Sequence, residues 1–314
     1  MTLLLLDGNG LAHRAFHATK ANPQFREDGL PITAIGRFLD LVYEALIDVG
    51  RPQCATHAAA IFDAPGPNWR HDIAPSYKSG RSHDPDFHPQ LRLMRELVKG
   101  LGIASVQMRG YEADDLIATY ARLAEEAGIG ACVVSIDKDL LQLLRPGVAV
   151  YNPMKRSMVS DWDVIERFGV SPENIPCYQA LVGDTTDGYA GVPGVGPKAA
   201  AELIAEHGDL ETLLANPAGI TKPALRAKII AGADQARMCR SLAVLDDAVP
   251  VRRALEDLEL RRPDADLLIG GLKALGLIHW PGVFGERLQI DPQSIPPHAG
   301  ITDLSDELVE FASA

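Results

Sequence analysis

Short apolar runs that end in carboxylates constrain this chain more than any other feature. Asp7 follows Leu3-Leu4-Leu5-Leu6, Asp63 follows Ala58-Ala59-Ala60-Ile61-Phe62, and Asp137 and Asp139 follow Cys132-Val133-Val134-Ser135-Ile136. Runs this short, nearly all apolar and bounded by turn-forming or charged residues, read as buried strands of a parallel sheet. In such sheets the carboxyl ends of the strands open onto the ligand crevice. Glu112, Asp114 and Asp115 in Tyr111-Glu112-Ala113-Asp114-Asp115, with Asp184 and Asp187 in Gly183-Asp184-Thr185-Thr186-Asp187-Gly188, bring to nine the acids that could converge there. Carboxylates so crowded repel and resist ionisation unless hard cations neutralise them. The expectation is a site for Mg²⁺ or Mn²⁺.

The chain has 314 residues, 46% of them apolar, and a mean hydropathy near zero. That suits two modest domains with real cores. The segment Met1-Thr2-Leu3-Leu4-Leu5-Leu6 lacks the length and the basic flank of a signal peptide. No apolar run approaches the roughly 20 residues that span a membrane, so no membrane partner is expected. Cys54, Cys132, Cys177 and Cys239 show neither paired zinc spacing nor a disulfide framework. Reduced thiols and a cytoplasmic location are expected. A formal net charge of −12 argues at first against nucleic acid, whose phosphates are bound by Lys and Arg. The basic residues are grouped, however, in Arg70, His71, Lys78, Arg81 and His83 and again in Lys198, Lys222, Arg226, Lys228, Arg237 and Arg240. Bound divalent cations would offset part of the acid excess. Local patches, rather than net charge, decide contact with a phosphate backbone.

Up to about Ser160, strand candidates at 2–6, 58–62, 103–108, 131–136 and 148–152 alternate with helical patterns at 32–49, 87–101 and 112–127. Such alternation predicts an α/β fold with a mainly parallel sheet flanked by helices. Between Ala64 and Pro89 the pattern lapses into Pro, Gly, His and basic residues, with Trp69 and Tyr77 among them. A stretch of that length more often belongs to a functional loop than to an inert connector. After a helix at Asp161–Phe168, Gly169-Val170-Ser171-Pro172 supplies a stop and a new start. Helices are then expected near 173–182, 197–206, 209–215, 222–231 and 234–244, an all-α region. A short helix around Asp264–Leu275, a Pro-rich stretch from Asp291 to Pro297 and an acidic end follow. That tail is expected to be loosely attached.

Each motif has a plain alternative. Glu112 and Asp115 lie three apart and share a helix face, yet acids also favour a first helical turn through the dipole. Asp137-Lys138-Asp139 is equally compatible with a helix cap. Recurrence at one sheet edge is what favours a site. In Gly191-Val192-Pro193-Gly194-Val195-Gly196-Pro197-Lys198, glycines permit close backbone approach, and Pro197 at a first helical position leaves free amides facing the preceding loop. Such a helix start attracts phosphate, and Lys198 adds a mobile charge. Many helix–turn–helix corners look similar; the position directly after Asp184 and Asp187 strengthens the reading. His13 and His17 have the spacing of a zinc pair but no evident third ligand. Trp69 and Tyr77 either stack on nucleobases or anchor the loop by packing.

Taken together, Leu6-Asp7-Gly8-Asn9, Arg14-Ala15-Phe16-His17-Ala18, Phe62-Asp63-Ala64, Tyr77-Lys78-Ser79, Glu112-Ala113-Asp114-Asp115, Asp137-Lys138-Asp139, Gly183-Asp184 and Gly191-Val192-Pro193-Gly194-Val195-Gly196 resemble the 5′-nuclease family. That family includes the N-terminal domain of bacterial DNA polymerase I, phage 5′-exonucleases and flap endonucleases. The motifs occur in the family's order over about residues 2 to 250. The chain departs from the pattern at Ile136, at Asp187-Gly188-Tyr189-Ala190 and at His13, without loss of a presumed ligand.

The resemblance implies a PIN-like nuclease core with a helical arch, at 1–170 with the arch at about 64–95. A helix–three-turn–helix domain that grips duplex DNA would follow at 171–262, and an extension at 263–314. It implies two Mg²⁺ or Mn²⁺ ions, the first held by Asp7, Asp63, Glu112, Asp114 and Asp115 and the second by Asp137, Asp139, Asp184 and Asp187. Lys78 and Arg70 would contact the scissile phosphate as catalytic residues. Tyr77 and Arg81 would meet DNA, and Gly191, Gly194, Gly196 and Lys198 would form the duplex-binding turn, where relatives also hold a monovalent cation. The expected partners are DNA with 5′ ends, flaps or nicks and RNA–DNA hybrids, and the expected state is a monomer and a free-standing nuclease. On this reading Asp115→Asn abolishes cleavage and spares binding. Two rivals stand beside it: a non-catalytic binder of branched DNA with a vestigial metal site, and a small-molecule phosphohydrolase, which would need neither the basic loop nor the Gly-rich module.

Overall fold

The computed structural model describes residues 1–52, 54–80 and 84–302. The chain opens with β1 (Thr2–Asp7), α1 (Gly8–Thr19), α2 (Thr33–Ala45), β2 (Ala55–Ile61), α3 (Arg70–Ile73) and α4 (Phe87–Leu97). It continues through β3 (Ala104–Val106), α5 (Ala113–Glu126), β4 (Gly130–Val134), β5 (Val148–Asn152), β6 (Ser157–Val159) and α6 (Asp161–Phe168). Next come α7 (Ile175–Val182), β7 (Gly183–Asp184), β8 (Tyr189–Ala190), α8 (Pro197–His207), α9 (Leu210–Ala215), α10 (Pro223–Ala231) and α11 (Ala233–Ala243). Among the described residues α12 (Gly271–Ala274) and α13 (His279–Leu288) follow. There are two compact units, one of Met1–Phe62, His83–Gln107 and Arg252–Ala314, the other of Asp63–Ser82 and Met108–Val251.

In the first unit β1 pairs with β2 and β2 with β3, all parallel, so that Leu4, Leu5 and Leu6 lie beside Ala58, Ala59 and Ala60. Leu3 to Leu6 are fully buried, each removal from water contributing about 1.5–3 kcal/mol. The Asp7 carboxylate accepts the Gly10 amide at 2.7 Å and caps α1. A Cβ at Gly8 would stand 2.5 Å from the Phe62 ring, so only glycine fits that start. No helix is expected here from the sequence, because two glycines and the exposed His13, Arg14 and His17 obscure the buried stripe Leu11, Ala12, Ala15 and Phe16.

The chain returns to this unit from Arg252. The Leu260 amide donates to the Thr56 carbonyl and the Arg261 amide to the Gly102 carbonyl, both at 2.9 Å. The expected loose tail is fastened as far as it is described. Lys273 Nζ donates to the Pro292 and Ile295 carbonyls at 2.6 and 2.7 Å, and the His298 amide donates to the Gly270 carbonyl at 2.9 Å. Ile301 is buried. Residues 303–314 lie outside the described residues.

In the second unit β4 and β5 are parallel, and β6, absent from the expected strands, is antiparallel to β5. Its three residues are too short a run to announce themselves by alternation. Helix α5 starts on a capping box in which the Glu112 side chain accepts the Asp115 amide and the Asp115 side chain accepts the Glu112 amide. From α6 to α11 the unit is helical apart from the β7–β8 hairpin, as expected. No helix among the described residues is long and apolar enough to cross a membrane, and all four cysteines are free.

The hairpin depends on two backbones crossing closely. Gly183 sits at φ +83, a Cβ there would lie 2.3 Å from the Gly191 amide nitrogen, and a Cβ on Gly191 would lie 2.3 Å from the Leu181 carbonyl oxygen. Gly191→Ala therefore forces a backbone shift, expected to cost about 1–3 kcal/mol. A urea unfolding midpoint equal to that of the unaltered protein would contradict it.

Candidate metal centre

Asp184 lies in β7, Asp187 in the turn that leads to β8, and Asp139 opens the 3-10 helix Asp139–Leu143 beyond β4. Asp184 Oδ1 accepts the Thr186 amide at 2.8 Å and the Asp187 amide at 3.3 Å, folding the turn back on itself, and Gly188 follows at φ +78. One carboxylate oxygen from each of Asp139, Asp184 and Asp187 lies within 4.8 Å of the others. Asp137 is exposed and its Oδ1 accepts the Asp139 amide at 3.0 Å. Lys138 Nζ pairs with Asp184 and stands 3.3 Å from Asp139, and the Gln179 amide also donates to Asp139.

Burial first, and then Asp137, push the Asp139 carboxyl up to about 6, against the opposite pull of Lys138 and Gln179. Burial works against the Lys138 charge, but Asp139, Asp184 and Asp137 outweigh it and hold the ammonium above its ordinary range. One cation thus serves three acids. The donors are hard oxygens with no sulfur or imidazole among them, the set a divalent cation such as Mg²⁺ or Mn²⁺ accepts.

A second group adjoins the first through Tyr77. Its hydroxyl lies 2.9 Å from Asp187 Oδ2 and 3.1 Å from Glu112 Oε2, and its single proton serves one of them at a time. Burial, then Glu112 and Asp187, push the phenol far above its ordinary range, so it stays protonated. Only 3% of Tyr77 is exposed. This ring is packed inside the unit. Lys78 Nζ pairs with Glu112 Oε1, and the Lys78 amide donates to the Asp187 carbonyl at 2.9 Å. Lys78 adopts φ +56, a strained conformation for a residue with a side chain, costing about 1–2 kcal/mol.

Arg70 and Asp115 pair inside the unit. Arg70 Nη1 and Nη2 each donate to Asp115 at 2.8 Å, Nε donates to the Leu242 carbonyl at 2.8 Å and Nη2 to the Val244 carbonyl at 3.3 Å. Asp115 also accepts Trp69 Nε1 and the Glu112 amide at 3.1 Å and the Asp246 amide at 3.0 Å. Arg70 is 1% and Asp115 0% exposed. The guanidinium and the carboxylate are thus each other's principal partners inside the unit.

Asp63 Oδ1 accepts the Ala113 amide at 2.8 Å at the start of α5, and Asp114 is half-buried one residue on. Asp7 lies in the other unit. Arg81 is outside the described residues. Gly194, at φ +75, receives Lys228 Nζ on its carbonyl at 3.0 Å. Gly196 precedes α8 with open space where a Cβ would stand, and no side chain caps that helix. Lys198 is exposed. Gly191 instead belongs to the backbone crossing. Sequence reasoning missed Trp69 as a partner of Asp115, Gln179 as a partner of Asp139, and the counter-ion role of Lys138. Only Lys138, set between two acids, carried a signal.

Residues 2–169 match the model of the 5′-3′ exonuclease N-terminal resolvase-like domain, and residues 170–266 that of the 5′-3′ exonuclease C-terminal SAM fold. The chain belongs to the 5′-3′ exonuclease family. The 5′-3′ exonuclease of Aquifex aeolicus (strain VF5) is 36% identical over 275 residues, 87% of this chain and 92% of that one. DNA polymerase I of Rhizobium leguminosarum is 39% identical over 299 residues, 94% of this chain but 29% of that one. The chain therefore spans under a third of that polymerase's length. A solved structure of T5 5′-exonuclease with bound divalent metal ions, zinc, has a TM-score of 0.67 at 22% identity, covering 78% of this chain and 90% of that one. At that identity the likeness is one of fold, an α/β part with mostly parallel strands followed by a helical part.

Proposed function

We propose that this member of the 5′-3′ exonuclease family is a structure-specific nuclease that hydrolyses DNA phosphodiesters at or near 5′ ends, nicks or flaps in replication or repair. The observation that carries the reading is the convergence of Asp139, Asp184 and Asp187 within 4.8 Å. With Asp137 they would hold one Mg²⁺ or Mn²⁺. Asp63, Glu112 and Asp114 are the candidates of this unit for another, and Asp7 is carried as a ligand by the resemblance alone. Bound divalent cations supply Lewis-acid stabilisation and a nucleophilic water.

The chain's own residues do the rest. Lys78 neutralises charge that grows on the phosphoryl oxygens. Lys138 relieves repulsion between Asp139 and Asp184, and Tyr77 keeps its proton and spans Glu112 and Asp187. The exposed turn with Gly194, Gly196 and Lys198 meets the backbone of a downstream duplex without reading its bases, and a monovalent cation at that turn belongs to the same reading. So do a nuclease domain to about residue 170, a duplex-binding domain at 171–262, RNA–DNA hybrids as further substrates, a single chain as the working unit and a cytoplasmic location, the last supported by four free thiols.

The test is cleavage of a fluorescently labelled 5′-flap duplex by the purified protein with Mg²⁺, Mn²⁺ or EDTA, beside single-stranded, blunt and RNA-containing substrates. Metal-dependent cutting near the 5′ end is expected. Binding without cutting under every condition would transfer the chain to the class of non-catalytic branched-DNA binders.

A further inference from the structure

The first unit contains a cavity of about 270 Å³ beside the π-helical turn Leu46–Gly50 that extends α2. Leu46, Leu101 and Leu260 give it apolar walls, and Arg51, Arg261 and Arg287 line it with no carboxylate among the lining residues. Arg287 Nη2 lies 2.6 Å from Asp40 Oδ1, and its guanidinium stacks on the Tyr43 ring at 4.7 Å. Its Nη1 is buried with no hydrogen-bond partner among the described residues. Arg51 and Arg261 are exposed, and no ion pair among the described residues engages either.

We propose that this cavity binds an acidic peptide segment of another protein, which inserts one bulky apolar side chain and sets its flanking carboxylates on the arginines. Arg51 and Arg261 carry charge that no acid of the described residues offsets, while Arg287 is held by Asp40, and guanidinium groups match carboxylates in geometry as well as charge. The volume suits a single large side chain. A phosphodiester backbone, by contrast, is met on open basic surface and has no use for a concave apolar wall. Arginine and tyrosine, both at this cavity, are among the residue types enriched where interfaces concentrate their binding energy.

The probe is a fluorescein-labelled peptide with one phenylalanine between pairs of aspartates, titrated with the full chain by fluorescence anisotropy at low ionic strength. Saturable binding is expected, roughly tenfold weaker when serine replaces the phenylalanine and roughly tenfold weaker again for Arg261→Glu. Arg51→Glu supplies an independent variant, and both side chains are exposed, so circular dichroism and flap cleavage should be unchanged. Absence of binding, equal binding of the two peptides, or displacement of the probe by a DNA duplex would overturn the proposal; the last would make the patch a nucleic-acid contact.

Discussion

Asp115→Asn is expected to cost about 3–5 kcal/mol of folding stability, the range found when one partner of a buried ion pair is removed. The variant leaves the Arg70 guanidinium buried without its counter-charge, and an amide cannot accept from Arg70, Trp69 and the Glu112 and Asp246 amides as the carboxylate does. In thermal unfolding the loss amounts to a fall on the order of 10 °C. Arg70→Met should be similarly costly, because it strands the Asp115 charge together with the Leu242 and Val244 carbonyls. Loss of cleavage in either variant then reports a damaged fold. Should Asp115→Asn unfold at the same midpoint as the unaltered protein and yet fail to cut DNA, the carboxylate would belong to the chemistry after all.

Divalent cations should stabilise the protein measurably. At a free concentration about a hundredfold above the dissociation constant, one bound ion adds about 2.7 kcal/mol. Asp184→Asn should abolish that gain and lower flap cleavage by about 10²-fold or more. Asp234→Asn, fully exposed on α11, should change neither. The gain should also shrink as pH falls through about 6, since the ion competes with the proton on Asp139. Without metal the sign reverses. A carboxyl whose folded-state value is raised binds its proton more tightly in the folded protein, so stability declines as pH rises through the same region. Thermal unfolding with Mg²⁺, Mn²⁺ and EDTA at several pH values checks both statements, and an unaltered protein indifferent to metal would remove Asp139, Asp184 and Asp187 from consideration as ligands.

Much of this was legible in the residues themselves. A run such as Cys132-Val133-Val134 is too apolar for a half-exposed strand, so its burial and the position of the acids beyond it follow together. Arg70 was not legible in the same way. A basic residue in a Pro- and Gly-rich loop looks alike whether it faces a phosphate or a buried carboxylate. What decides the matter is Asp115 and the carbonyls of Leu242 and Val244, which lie 45, 172 and 174 positions away along the chain. Tyr77 is a similar case, since its burial depends on Glu112 and Asp187, 35 and 110 positions on. Helix α1 was hidden for a local reason, its two glycines breaking the apparent period while its cap came from a residue also read as a ligand.

The return of the chain at Arg252 bears on the order of synthesis. Strands β1 and β2 are made well before the segment that donates to Thr56 and Gly102 and before the helices that fasten Pro292 to Ile301. The second unit, made of residues that lie between, has all its parts before the first does. Closing the first unit must await long-range contacts, which are slow to form. Strand β2 therefore waits for the backbone partner of Thr56 until the chain has been made past residue 259.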